Sequence, residues 1–257
     1  MYDLFSEDYD RFVNWEDRLA YEMPFIEKQI YRYQQPGKNS LNILDSACGT
    51  GMHAIALAKQ GHMVSAADLF PQMILKGQDN ARQAGVEVQF EAAGFGEMAQ
   101  AFGREQFDLV LCLGNSFPHV LSEVELINAL QDFASVLRKD GMLFIQNRNF
   151  DAVVKQQARW MEPQVHQADK MEWIFHRFYD FLPDGLIRFN IATLKHELDS
   201  DWKAEVTSTL LRPQLHDELV NQLEQVGFQD ITAYGSMEGE PFSAEKSGNL
   251  ILTVIKA

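Results

Sequence analysis

The chain has 257 residues and carries 37 acidic against 22 basic side chains, a formal net charge of −15. That length allows one substantial core, and the charge argues against nucleic acid as a partner, because a phosphate backbone rewards clustered Lys and Arg. No apolar run is long enough to span a membrane, and the N-terminus is acidic where a signal peptide would be basic and then apolar, so the expectation is a cytoplasmic protein with no membrane partner.

Residues 1–35 are dense in aromatic rings: Tyr2, Phe5, Tyr9, Phe12, Trp15, Tyr21, Phe25, Tyr31 and Tyr33. Much of this segment has helical spacing, which predicts that most of the rings pack on the core and that some cover a ligand. A turn-rich linker at 34–40 follows. Thereafter strands and helices alternate: strand 42–45, helix 52–60, strand 63–67, helix 71–84, strand 86–92, strand 107–113, helix 122–138 and strand 141–147. Alternation at these lengths predicts an α/β domain with right-handed crossovers, a mostly parallel sheet and a ligand at the carboxyl ends of its strands. Beyond Asp151 the pattern changes. Residues 170–211 read as two or three antiparallel strands turning at Pro183-Asp184-Gly185 and near Asp199-Ser200-Asp201, within an insert over about 165–211 that is expected to act as a lid. Arg212-Pro213 opens a helix that Gly227 stops, and strands near 228–235 and 248–256 close the sheet. The division expected is a helical, aromatic-rich cap at 1–40 and a ligand-binding domain at 41–257 that contains the insert.

The chemistry concentrates where the first strand ends. Ile43 and Leu44 lead into Asp45-Ser46-Ala47-Cys48-Gly49-Thr50-Gly51, a turn that lets backbone approach a ligand, and a helix begins at once. A dinucleotide fingerprint would show a third glycine and would present the helix N-terminus to a pyrophosphate; here an acid precedes a single G-x-G. Asp45 would repel a diphosphate and suits a cation, such as the α-ammonium and sulfonium of S-adenosylmethionine. Asp68 ends the next strand at the distance where a doubly wound fold sets a carboxylate on ribose hydroxyls. The alternative is that both acids cap the helices after them. Cys48 and Cys112 lack C-x-x-C spacing and read as small buried side chains, and His166, His176 and His216 lack ligand spacing, so no metal is expected.

With Asp45-x-Ala47-Cys48-Gly49-Thr50-Gly51, Asp68 and the strand that runs from Phe107 into Leu113-Gly114-Asn115-Ser116-Phe117-Pro118-His119, the chain resembles class I S-adenosylmethionine-dependent methyltransferases over about 41–150. Leu113-Gly114-Asn115-Ser116-Phe117-x-His119 and Asn147-Arg148-Asn149-Phe150-Asp151 are similar to blocks of the glycine N-methyltransferase group within them. The resemblance implies a Rossmann-like, seven-stranded doubly wound sheet. It implies that Asp45, Ala47, Gly49 and Gly51 hold the methionine moiety, Asp68 the ribose and Leu69 the adenine face. Arg18 would pair with the methionyl carboxylate, with Trp15 its aromatic neighbour. Leu113 would offer backbone to the cofactor amine, and His119 would lie near the cofactor tail. Asn115 and Arg148 would face a small-molecule methyl acceptor, Arg148 gripping its carboxylate in a bidentate pair.

Two departures from the group stand out. Gly94 replaces the residue whose side chain would bond the adenine amine, which leaves the Phe95 ring and backbone N–H to serve. Thr193 and Thr209 stand where the group presents tyrosines to glycine, which argues against glycine itself, and only Tyr179 and Phe178 remain as aromatic candidates from the insert. Methyl transfer from a sulfonium needs alignment more than a base. An amine acceptor must attack in its neutral form, with Asn115 accepting its hydrogens, whereas an oxygen acceptor would call on His119. The alternatives are a structural His119, an Arg148 paired with Asp151, a His53 that is simply a first-turn helix residue, a non-catalytic cofactor-binding module and a nucleotide-dependent oxidoreductase. The sequence leaves assembly open, a homo-oligomer included.

Overall fold

A strand made of consecutive apolar residues must be covered on both faces, and in a computed structural model of the chain Ile43 and Leu44 are fully buried inside a seven-stranded sheet. The structure describes residues 13–33, 40–197 and 200–257. The first units are α1 (Trp15–Tyr33), β1 (Asn42–Asp45), α2 (Met52–Lys59), β2 (Met63–Asp68), α3 (Pro71–Ala84) and β3 (Gln89–Ala92). Next come α4 (Met98–Phe102), β4 (Phe107–Cys112), a short 3-10 turn (Phe117–His119), α5 (Glu123–Val136), β5 (Leu137–Arg148) and α6 (Phe150–Gln156). A second, four-stranded sheet holds β6 (Gln164–Ala168), β7 (Met171–Phe181), β8 (Ile187–Glu197) and β9 (Lys203–Leu211). Then α7 (His216–Val226), β10 (Phe228–Tyr234) and β11 (Asn249–Lys256) complete the first sheet.

The large sheet has the order β10-β11-β5-β4-β1-β2-β3, with β1 to β5 parallel and β11 antiparallel to both its neighbours. One core packs α1, α2 and α3 on one face, and a second packs α4, α5 and α7 on the other. Strand order reverses between β1 and β4, so crossovers leave to opposite faces there and a crevice opens at their carboxyl ends. The small sheet is antiparallel throughout. Its Tyr179, Ile187 and Leu211 close over Phe150 and Val153 of α6, and the Arg212 N–H donates to the Pro118 carbonyl at 2.8 Å, which ties it to the rim of the crevice.

Several expectations change. Residues 170–211 hold three antiparallel strands, as expected, and a fourth, β6, precedes them and pairs with β7. The segment 86–88 is not strand: the Val86 N–H closes the end of α3 on the Ala81 carbonyl, and pairing with β2 starts at Gln89. Helix α5 stops at Val136 because Leu137 pairs with Phe107, so β5 begins earlier than read. Helix α7 starts at His216, not at Arg212, where the Asp151 carboxylate accepts the His216 N–H at 3.0 Å. Of the described rings Phe25 is buried against Phe144 and Tyr234, Trp15 is half-buried, and Tyr21 and Tyr31 are exposed. Tyr2, Phe5, Tyr9, Phe12, the linker at 34–39 and the turn residue Asp199 lie outside the described residues. Among the described residues no helix is long and apolar enough to cross a membrane.

Helix α6, unread in the sequence, exists because of Asn149. Its Oδ1 accepts the Ala152 N–H at 3.3 Å, and its Nδ2 donates to the carbonyls of Ser243, Ala244 and Ser247 at 3.2, 3.1 and 2.9 Å. An Asn149→Ala variant removes an N-cap and takes the amide donor from three partly buried carbonyl contacts; thermal denaturation should show a midpoint lower by roughly 5–10 °C.

Candidate active site

The turn after β1 takes a path that glycine follows without strain. Gly49 and Gly51 lie at φ 54° and 80°, and a Cβ on Gly51 would stand 2.9 Å from the Phe90 ring. Asp68 pins this turn to β2: the Gly49 N–H donates to Oδ2 at 2.9 Å and the Phe70 N–H to Oδ1 at 3.0 Å. Neither acid caps a helix through its side chain, since the N-cap residues of α2 and α3 are Gly51 and Phe70. Asp68 lines the cavity described next, and a carboxylate oxygen can accept more than one donor.

At the switch point lies a cavity of about 310 Å³. Ala47, Gly49, Asp68, Leu69, Gly94 and Phe95 form one side of it. Gly114, Ser116 and His119 form another, and Thr209 and Leu210 of β9 close it from the small sheet. Leu69 is an exposed leucine at its mouth, and Phe95 holds its ring edge-on to Phe117 and Phe133, at 5.5 and 5.8 Å. The Gly94 N–H is taken by Glu97 Oε2 at 2.8 Å. Leu113 is buried behind the wall, its carbonyl accepting the Ser116 hydroxyl at 2.8 Å.

Asp45 is 1 % exposed, and the Ala47 N–H faces its carboxylate without either oxygen completing a hydrogen bond of good geometry. Burial raises its carboxyl to about pKa 6, against the pull of His53 and the Ala47 N–H toward the charged form. A buried acid with open oxygens fits a ligand that brings a cation. Cys48 and Cys112 are buried thiols beside it, and burial pushes Cys112 up to about 12. Arg18 reaches the rim from α1: its Nη2 lies 3.2 Å from where a Cβ on Gly114 would stand, and its guanidinium sits 5.1 Å from the Trp15 ring. His53, read as a plain first-turn residue, is bonded to Glu22 at 2.6 Å.

Asn115 and Arg148 come together as a hydrogen-bonded pair. Asn115, at φ 62°, accepts the Arg148 backbone N–H on its Oδ1 at 2.9 Å, so that oxygen already braces the end of β5. Arg148 does not pair with Asp151, whose carboxylate serves α7, and its Nε is buried with no partner. His119 lines the cavity and donates toward the Leu210 carbonyl; burial lowers its pKa to about 4.

Some residues of the site escaped the sequence reading. Gln146 accepts the Gly114 N–H at 2.7 Å and shapes the β4 turn. Arg177 stands in the inward stripe of β7 between buried Phe175 and Tyr179, and burial, then the charge of Arg148, pull its pKa down. The signal for Arg177 was present as a cation inside an apolar alternation, and that for Glu22 as its position four residues after Arg18.

A doubly wound sheet with an antiparallel seventh strand, a glycine turn flanked by two acids and a crevice at the switch point define the class I methyltransferase architecture. Residues 43–141 match a family model described as a methyltransferase domain. Glycine/sarcosine N-methyltransferase of Aphanothece halophytica is 30 % identical over 234 residues, covering 91 % of this chain and 82 % of that protein. In fold the chain is similar to an S-adenosylmethionine-dependent methyltransferase from Clostridium acetobutylicum, with a TM-score of 0.76 at 15 % identity over 100 % of this chain and 99 % of that one. It is also similar to an S-adenosylmethionine-bound amino pentose methyltransferase from Micromonospora echinaspora, with a TM-score of 0.73 at 16 % identity over 99 % and 97 % of the two chains. The chain belongs to the class I S-adenosylmethionine-dependent methyltransferases, close to their glycine N-methyltransferase-like group, and its cofactor is S-adenosylmethionine. The oxidoreductase and non-catalytic alternatives fall with that assignment.

Proposed function

We propose that the enzyme methylates the amine nitrogen of a small molecule that carries a carboxylate. The observation that carries this reading is Arg148, a half-buried guanidinium whose Nε has no hydrogen-bond partner, at the end of β5 beside the cavity turn. A cation kept from its neighbouring carboxylate in a partly desolvated place favours an anionic guest. Arg177, from the facing sheet, adds positive charge on the same side. The Aphanothece relative is named for glycine and sarcosine, both amines with a carboxylate. Thr193 and Thr209 lie on the inward face of β8 and β9, where they leave more room than tyrosines would, which favours an acceptor larger than glycine.

For the cofactor, Asp45 and the Ala47 to Gly51 turn are the methionine-side ligands, Asp68 takes the ribose hydroxyls, Leu69 and Phe95 flank the adenine, and Arg18 takes the carboxylate. When bound, S-adenosylmethionine supplies a methyl group already activated on a sulfonium. The protein's share is then to hold the acceptor by its carboxylate on Arg148, to exclude water with β9 and the Phe117–His119 turn, and to keep the amine neutral by desolvation. His119, with a pKa near 4, is a weak base at neutral pH, which favours nitrogen over an oxygen whose proton must be removed. Asn115 acts by fixing the Arg148 backbone rather than by spending its Oδ1 on the amine. The test is a panel of primary and secondary amino acids assayed beside their carboxamides. Methylated product is expected from acids larger than glycine and at least tenfold less from the matching amides; equal turnover of both would remove the carboxylate from the reading.

A further inference from the structure

Arg18 and Glu22 stand one turn apart on α1, and the Arg18 Nε donates to both carboxylate oxygens of Glu22 at 3.1 Å. The same carboxylate is held from α2 by His53, with Nε2 2.6 Å from Oε2. Trp15 sets its ring edge-on to His53 at 5.6 Å and lies under the Arg18 guanidinium. The side chains of Arg18, Glu22 and His53 are only 21 %, 10 % and 4 % exposed, so this is an interior cluster rather than a solvated ion pair. Burial by itself would raise the Glu22 carboxyl, yet His53 and Arg18 together hold it below the ordinary value, as a carboxylate.

The geometry decides which edge of the guanidinium is left. Glu22 occupies Nε, and the terminal nitrogens Nη2 and Nη1 fall 3.2 and 3.9 Å from where a Cβ on Gly114 would be. Gly114 lines the cavity and, having no side chain, admits the guanidinium to its rim. A planar donor fork grips a carboxylate with two parallel bonds only if its plane is fixed beforehand, since a free arginine loses rotamer freedom on binding.

We propose that Glu22 is a positioning residue for the cofactor: braced by His53, it orients Arg18 so that the two terminal nitrogens meet the methionyl carboxylate as a bidentate pair. This rests on Arg18 as the carboxylate ligand and adds what aims it. Because Glu22 joins α1 to α2, the cofactor's carboxylate is read only when the two helices are docked.

The test is calorimetric and uses two ligands, S-adenosylhomocysteine and its decarboxylated analogue, which lacks only the carboxylate. The wild-type protein should prefer the first, and Arg18→Gln should erase that preference. Glu22→Gln should weaken S-adenosylhomocysteine about tenfold and leave the analogue within about twofold; His53→Gln, a second variant in case Glu22→Gln does not fold, should shift the same way by a smaller factor. A Glu22→Gln protein that loses affinity for both ligands equally, or for neither, overturns the positioning role. A preference that survives in Arg18→Gln overturns the Arg18 assignment itself, a separate outcome from failure at Glu22 alone.

Discussion

An Asp45→Asn variant should melt at a higher temperature than the wild-type enzyme when no cofactor is bound, and should bind S-adenosylmethionine about 100-fold more weakly. The two effects share one cause. Asp45 is a buried carboxyl with open oxygens, raised by burial from the ordinary aspartate value of 3.8 to about 6. A folded-state pKa above the unfolded one means that ionisation opposes folding. The penalty is complete above pH 6, shrinks as pH falls through 6 toward 3.8, and vanishes below that. At pH 7.5 it amounts to at most about 3 kcal/mol, which the neutral amide removes. Differential scanning calorimetry should therefore find the variant more stable at pH 7.5 and the difference shrinking toward pH 4. With Asp45 as the proposed partner of the cofactor's ammonium and sulfonium, binding should run the other way, because those cations would need the charged carboxylate and removing one partner of a buried ion pair costs several kcal/mol. Wild-type affinity for S-adenosylhomocysteine should be flat above about pH 7 and fall about tenfold per pH unit below 6. A pH-independent affinity, or an Asp45→Asn protein that binds normally, would show that this acid does not meet the cofactor.

The second large effect belongs to Arg148. Replacing it by lysine keeps the charge but loses the planar fork, so the acceptor KM should rise by roughly 30- to 100-fold while S-adenosylmethionine affinity stays within about twofold. The backbone N–H bonded to Asn115 is untouched by this change, so the β4 turn that lines the cofactor cavity should keep its shape. Steady-state kinetics with a carboxylate-bearing amine, beside calorimetry of the cofactor, separate the two terms. An unchanged KM would mean that Arg148 serves the end of β5 and not the acceptor.

The glycine turn and the two acids proposed to hold the cofactor were legible because each is local to the end of one strand. The turn from Asp45 to Gly51 and the acid at Asp68 each close one strand, and a doubly wound sheet allows only one place for them to meet. The helix from Pro71 to Ala84 showed equally clearly, bounded by a proline and by Gly85 at φ 69°. Elements set by distant partners did not show. Helix α6 depends on the carbonyls of 243–247, β6 exists only because β7 turns back on it, and the start of β5 is fixed by Phe107.

The acceptor side divides along the same line. Arg148 was visible as a residue type in a recognisable block, but whether it paired with Asp151 or stood open was a question of which donor reached that carboxylate first, and the His216 N–H of a helix 65 residues away did so. Glu22 and His53 lie 31 residues apart on different helices, and nothing in either segment announces a 2.6 Å contact. Local chemistry, strand by strand, settled the sheet, the turn and the acids, because apolar periodicity and glycine backbone freedom act over a few residues. Which polar groups were satisfied and which were left open for a ligand was decided only by packing, because a hydrogen bond goes to whichever partner the folded chain brings within about 3 Å.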